Sequence, residues 1–106
     1  MEYNYQIIYT AQFESDLDSI ADYFCNTLMN PSAYLNLTDR IKRQEKMLRT
    51  FPKSFIDFES NFSLKYCYKT FHVGNYAAFF YIDENEHIVY VRRILYSGMD
   101  LKNMFI

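Results

Sequence analysis

The sequence predicts an α+β fold: an antiparallel sheet with an N-terminal strand and a two-helix hairpin packed on one face. Three observations predict it. Residues 76–96 read as two long strands around the acidic turn Asp83-Glu84-Asn85-Glu86. Residues 11–49 carry two stretches of helical periodicity broken at Asn30-Pro31. Residues 3–9 alternate with a period of two, as a strand with one buried face does.

The C-terminal hairpin organises the rest. Tyr76–Ile82 and His87–Tyr96 are rich in the β-branched and aromatic side chains that suit a pleated surface. Simple alternation puts Ile88, Tyr90 and Ile94 on one face of the second strand and Val89, Val91 and Leu95 on the other. A strand apolar on both faces is expected at the centre of its sheet.

In chain order, Tyr3, Tyr5, Ile7 and Tyr9 mark the first strand, and Thr10 offers an N-cap oxygen to a helix from Ala11 to Leu28. Its apolar stripe is Phe13, Leu17, Ile20, Ala21, Phe24 and Leu28, with an acidic outer face. Pro31 cannot continue that helix but suits the first turn of the next, which should run to about Arg49. Leu37, Ile41, Gln44, Leu48 and Phe51 trace its inner stripe, with Tyr34 and Met47 beside it. Its basic outer face, Arg40, Lys42, Arg43, Lys46 and Arg49, is first a solvated face and is placed to pair with the acidic face of the first helix.

Ser54–Ser63 reads as an irregular stretch whose Phe55, Phe58 and Phe62 plug the gap between helices and sheet. A strand from Leu64 to His72 follows, then a turn at Val73-Gly74-Asn75 in which Gly74 supplies a positive φ. Asp100 is placed to cap a short terminal turn. No linker composition or repeat appears, so residues 1–106 are expected to form a single domain.

The composition narrows the class. A chain of 106 residues, half of them hydrophobic with eleven Tyr and ten Phe, is long enough for its own core and too aromatic for a disordered segment. No apolar run reaches about 18 residues and no signal peptide is visible, so a soluble, cytoplasmic protein is expected. Cys25 and Cys67 lack CxxC spacing and are expected to be free, partly buried thiols. Residues 1–30 hold five acids and no Lys or Arg (−5), whereas residues 31–106 hold eleven bases against eight acids (+3). The overall acidic balance weighs against an obligate RNA binder, which needs basic charge to release counterions from phosphates.

At this point the chain resembles the RelE/ParE superfamily of type II toxin–antitoxin toxins, also described as plasmid-stabilisation toxins. The residues that carry the resemblance are the opening strand with Thr10-Ala11-Gln12-Phe13, the helix hairpin broken at Asn30-Pro31 and ended at Phe51-Pro52, and Val73-Gly74-Asn75-Tyr76. Phe80-Tyr81-Ile82-Asp83 and Val89-Tyr90-Val91-Arg92-Arg93-Ile94-Leu95-Tyr96 followed by Asp100 complete the pattern. The longer helix hairpin and the Arg-Ile-Leu-Tyr ending are closer to ParE-type members than to short RelE-type ribonucleases. The resemblance implies the fold above, a growth-inhibiting toxin, a cognate antitoxin that wraps it, possible oligomers with that antitoxin, and for ParE-type members DNA gyrase as target. The alternatives are a ribosome-dependent mRNA endonuclease of RelE type and a degenerate member without toxicity.

Two departures bear on that choice. The family's Tyr-Arg pair after the glycine turn is Tyr76-Ala77 here, and Gly98-Met99 stand where basic residues commonly precede the final Asp. Ribonuclease chemistry of that type uses basic side chains to hold phosphate and stabilise its developing charge. The candidates for a rearranged ribonuclease site are Lys65, Lys69, Arg92, Arg93 and Tyr96. The candidates for target or partner binding are His72, Tyr76, Arg93, Tyr96 and Asp100. Each has a plainer role as well. Consecutive Arg92 and Arg93 point to opposite faces of a regular strand, one pairing with a carboxylate near the helices and the other exposed. Lys65 and Lys69 fall in phase and, with His72 and Tyr76, sketch a basic-aromatic patch. Neither His has metal-ligand spacing and no phosphate-cradling loop occurs, so no metal or other cofactor is expected.

Overall fold

The structure, a computed structural model, describes residues 4–58 and 67–98. The elements are β1 (Gln6–Tyr9), α1 (Ala11–Asp22), a π-turn (Tyr23–Thr27), α2 (Pro31–Thr50), a 3-10 turn (Pro52–Ser54), β2 (Ile56–Asp57), β3 (Lys69–Val73), β4 (Tyr76–Asp83) and β5 (Ile88–Tyr96). The described strands form one sheet in the order β1-β5-β4-β3-β2. The α+β class and the helix hairpin on one face are as the sequence predicts. Pairing is antiparallel from β2 to β5, but β1 joins parallel to β5, so the sheet is mixed. The two helices intervene between β1 and the other strands, and such a crossover permits a parallel neighbour.

Each helix starts where its cap predicts. The Thr10 Oγ1 accepts from the Phe13 N–H at 3.3 Å and donates to the Arg92 carbonyl at 3.2 Å, so one residue caps α1 and ties it to β5. The Asn30 side chain accepts from the Ala33 N–H at 3.3 Å, with Pro31 in the first turn of α2. The first helix does not run regularly to Leu28. It loosens into the π-turn after Asp22, and Met29 takes a φ of 53° before Asn30.

One core lies between helices and sheet. It joins Phe13 and Ile20 of α1, Leu37, Ile41 and Leu48 of α2, and Phe71, Val73, Tyr76, Ala78, Phe80, Val89, Val91 and Ile94 of the sheet. Leu28 and Phe51, placed by periodicity on inner stripes, are exposed, because each lies where its helix has ended. A smaller cluster, Tyr68, Ala77, Phe79 and Leu95 with Phe58 and Tyr81 against it, covers the face away from the helices. Phe55 plugs the helix side as expected, meeting Phe80 edge-on at 5.4 Å, whereas Phe58 packs on Phe79 across the sheet at 4.8 Å. The stretch read as irregular also contains β2, and Phe62 lies outside the described residues.

The predicted faces of β5 need correction. Phe79 pairs with Arg93 but Phe80 pairs with Val91, so a bulge inserts Arg92 and reverses the phase. Val89, Val91 and Ile94 therefore share the helix face, and Leu95 lies on the other. The expected pairing between helix faces is also absent among the described residues. Arg43 pairs with Asp39 and Arg49 with Glu45 along α2 itself, and Asp16 of α1 pairs with Arg93. Gly74 has the expected positive φ, +58°. Both cysteines are free, with Cys25 half-buried and Cys67 exposed rather than partly buried.

Candidate functional site

Among the described residues, concavities lie between the helical layer and the sheet. A cleft of about 560 Å³ opens between the π-turn and the sheet end, lined by Tyr23, Phe24, Leu28, Asn75, Tyr76 and Tyr96. A groove of about 270 Å³ adjoins it, with Ala33, Asn36, Leu37 and Arg40 on one wall and Gly74, Asn75 and Tyr76 on the other. A third, of about 320 Å³, continues between Gln44 and Met47 of α2 and the strip of Phe55, Ile56, Thr70, Phe71 and His72. The last two follow the same side of α2 for about 20 Å, the rise from Ala33 to Met47.

The sheet edge beside that side of α2 is open. The β2 strand pairs only with Lys69 and Thr70, so Phe71, His72 and Val73 have no outer strand neighbour among the described residues. Arg40, Lys42 and Lys46 of α2 are exposed and make no ion pair among the described residues. Exposed Met47 and Ile56 add apolar surface.

The sequence candidates do not assemble into one patch. Lys69 lies opposite Phe80, on the helix side, where its Nζ donates to Asp57 at 2.7 Å and to the Phe55 carbonyl at 3.0 Å. It fastens β2 to β3. His72 lies opposite Ala77 on the other face and is exposed. Tyr76 and Tyr96 do come together, with ring centroids 6.0 Å apart, in the wall of the aromatic cleft. Burial pushes the Tyr76 phenol up first, and the neighbouring Tyr23 and Tyr96 phenols add to it. A Cβ at Gly98 would run into the Tyr96 ring, so the glycine is what lets that ring lie back over the chain. The Ser97 N–H and Oγ both donate to the Asn75 carbonyl at 2.8 Å, pinning the end of β5 to the β3–β4 turn.

Arg93 is clamped. Its Nε donates to the Asp16 Oδ2 at 2.7 Å and its Nη2 to Oδ1 at 3.0 Å, while the Ile94 N–H donates to the same carboxylate at 3.0 Å. Asp16 thus satisfies the edge of β5 just past the bulge, a role the sequence reading missed. The signal was present: Asp16 stands three residues after Phe13 and four before Ile20, on the apolar side of the helix. Arg92 is half-buried and makes no ion pair among the described residues. Lys65 and Asp100 lie outside the described residues.

On the face away from the helices, the described centre is apolar or aromatic, with Thr70 and His72 of β3 and the clamped Arg93 of β5 around it. Ala77, Phe79 and Leu95 are buried there, and Tyr81 stacks on Tyr90 at 5.1 Å. Ala77 sits at the middle of this face, where the resemblance had implied an arginine.

The fold is shared with toxins solved in toxin–antitoxin systems. A chain of a chromosomal ParDE toxin–antitoxin system from P. aeruginosa superposes with a TM-score of 0.65 at 19% identity, covering 87% of this chain and 95% of that one. A chain of the RelBE2 complex from Mycobacterium tuberculosis gives 0.59 at 13% identity, covering 91% and 94%. A chain of the archaeal RelE–RelB complex from Pyrococcus horikoshii gives 0.59 at 14%, covering 89% and 96%. No curated protein matches the sequence. The family model that describes the ParE toxin of the type II toxin–antitoxin system parDE matches residues 7–101. The chain belongs to the ParE toxin family of type II toxin–antitoxin systems. Among the described residues, no helix is long and apolar enough to cross a membrane.

Proposed function

We propose that this single-domain protein is a cytoplasmic toxin that acts by binding its target, DNA gyrase, and is neutralised by a cognate antitoxin. The observation that carries the binding mode is the face away from the helices. Ribonuclease chemistry needs cations free to hold phosphate. The described part of that face offers Ala77, Phe79 and Leu95 at its centre and the exposed His72 at its edge, while Arg93 is held by Asp16 and Lys69 by Asp57. The open edge at Phe71–Val73 and the groove beside α2 favour an antitoxin segment that is extended or folds on binding. Arg40, which lines the groove and makes no ion pair among the described residues, favours an acidic residue in that segment.

The test is induced expression in a bacterial host, with growth, DNA-damage signalling and primer-extension mapping followed together, and a supercoiling assay with purified gyrase. Growth arrest with filamentation, intact mRNA and inhibited supercoiling is expected. Arrest with new in-frame mRNA cuts, relieved by Lys65→Ala/Lys69→Ala, would replace this reading with the endonuclease. No arrest at confirmed expression in a sensitive host would make the chain a non-toxic member.

A further inference from the structure

We propose that the two-section groove beside α2 takes an antitoxin segment with one acidic side chain, seated at Arg40, among apolar residues, and that the segment pairs with the His72 backbone. This rests on the reading of a toxin neutralised by a cognate antitoxin, and it names the chemistry and the anchor of that contact. The lining of the groove sets the chemistry. Among the described residues that line the two sections, Arg40 is the one Lys or Arg, and no Asp or Glu lines either. Arg40 is exposed, and its Nη1 lies 3.6 Å from where a Cβ on Gly74 would stand. The side-chain amides of Asn36 and Asn75 line the same section and make no hydrogen bond among the described residues. A guanidinium fork with amide donors beside it matches a carboxylate, which accepts bidentate bonds from arginine.

The number of cations selects a peptide over a nucleic acid. A nucleic acid is charged at every phosphate and draws its affinity from several neutralising contacts. The groove has one cation, with Phe24, Leu37 and Tyr76 as apolar walls of its first section and Met47, Phe55 and Ile56 of its second. That lining fits a segment with one acid followed by apolar residues, the second section lying about 10 Å further along α2. The sheet edge supplies the backbone partner. The Phe58 N–H donates to the Tyr68 carbonyl at 2.8 Å, and Thr70 lies opposite Ile56, so even-numbered residues of β3 turn their N–H and C=O toward β2. His72 is the next of them, and β2 does not reach it, so its N–H and C=O face the second section without a described partner. An extended segment can add there as a short outer strand.

The full chain is titrated with its cognate antitoxin by calorimetry at stepped salt, alongside Arg40→Gln and Lys46→Gln. Lys46 is exposed on the same helix but lines neither section. Arg40→Gln is expected to weaken binding about tenfold and to flatten its salt dependence, whereas Lys46→Gln removes the same charge and should stay within about twofold. The His72 amide should become protected from hydrogen exchange when the antitoxin binds. Separately, the Asn36 and Asn75 side-chain amide signals are followed by NMR as N-acetyl-glutamate N-methylamide is added, with the glutamine analogue as its neutral isostere. The glutamate probe is expected to shift both signals in the millimolar range, and the glutamine probe to leave them in place. Equal losses in the two variants, unweakened binding by Arg40→Gln, an unprotected His72 or an equal response to the two probes overturns the proposal. Displacement of the antitoxin by a single-stranded oligonucleotide that shifts the same amides would give the groove to nucleic acid and overturn it as well. No antitoxin binding by the wild-type chain would instead remove the neutralisation reading, and the glutamate titration decides the Arg40 subsite by itself.

Discussion

The two faces of the sheet are built from the same strands and carry different duties. On the helix side, Phe80, Val89, Val91 and Ile94 are fully covered by Phe13, Ile20, Leu37, Ile41 and Leu48. On the other side, among the described residues, Phe79, Ala77 and Leu95 pack with Tyr68, Phe58 and Tyr81. The helix side holds the fold together. The described centre of the other side, at Ala77, Phe79 and Leu95, is apolar where a phosphate-binding toxin would need cations. The Phe79/Phe80 bulge is the hinge of the comparison, because it assigns neighbouring residues of β5 to opposite faces from those that plain alternation would give.

The strongest way to break the comparison is to truncate one phenylalanine on each face. Phe80→Ala should cost about 4 kcal/mol, since a fully buried ring leaves a cavity its neighbours cannot close. Phe79→Ala should cost about 3 kcal/mol, because Phe58 and Tyr81, which pack against its cluster, are themselves only partly buried. Urea denaturation at constant slope measures both. Equal losses would mean that the face away from the helices is as tightly built as the core.

Asp16→Asn sharpens the account of the bulge. It leaves the Arg93 guanidinium and the Ile94 N–H with a weaker acceptor in a site where both side chains are mostly covered. A loss of about 2 kcal/mol is expected. Asp16→Asn combined with Arg93→Met should recover part of it, the sign of a coupled pair. If the two changes simply add, Asp16 acts through the Ile94 N–H alone.

The smallest effect concerns the clamp between β1 and α2. The Tyr9 hydroxyl donates to Glu45 at 2.6 Å, and Arg49 bonds the other oxygen of the same carboxylate at 2.9 Å. The Tyr9 hydrogen bond foremost, with Arg49, holds the Glu45 carboxyl below its ordinary value against the opposing effect of burial. A depressed carboxyl contributes stability that is present above its unfolded value and is lost as pH falls through its folded value. Burial and the same hydrogen bond push Tyr9 upward, so its contribution is complete below the ordinary tyrosine value and is lost as pH rises toward the folded one. Glu45→Gln should therefore flatten the pH dependence of stability in the acid range, measured by denaturation at stepped pH. An unchanged acid slope would mean that Glu45 does not carry the sensitivity.

Local chemistry made much of this molecule legible. Thr10 and Asn30-Pro31 announced the helix starts, Gly74 the left-handed turn, and the run 76–96 the hairpin, because caps, turns and strand alternation act between residues close in sequence. Tyr76 and Tyr96 were chosen as binding candidates and do share a wall of the cleft. Lys69, His72 and Tyr76 were read as neighbours from their spacing, yet the pleat and the short β2 send them to different partners.

What the sequence determined by itself is the order of elements, the helix-facing aromatic core, the acidic first third and the family pattern carried by Val73–Tyr76 and Val89–Tyr96. The tertiary structure decided the rest: the parallel seat of β1, the bulge at Arg92, the capture of Arg93 by Asp16, and the convergence of Tyr23 and Tyr96 on one cleft. All but the bulge bring together residues more than seventy positions apart, and the bulge is set by the pairing of β4 with β5. Nothing local restricts which carboxylate meets a given arginine, or which ring closes a cleft, until the helices have docked on the sheet.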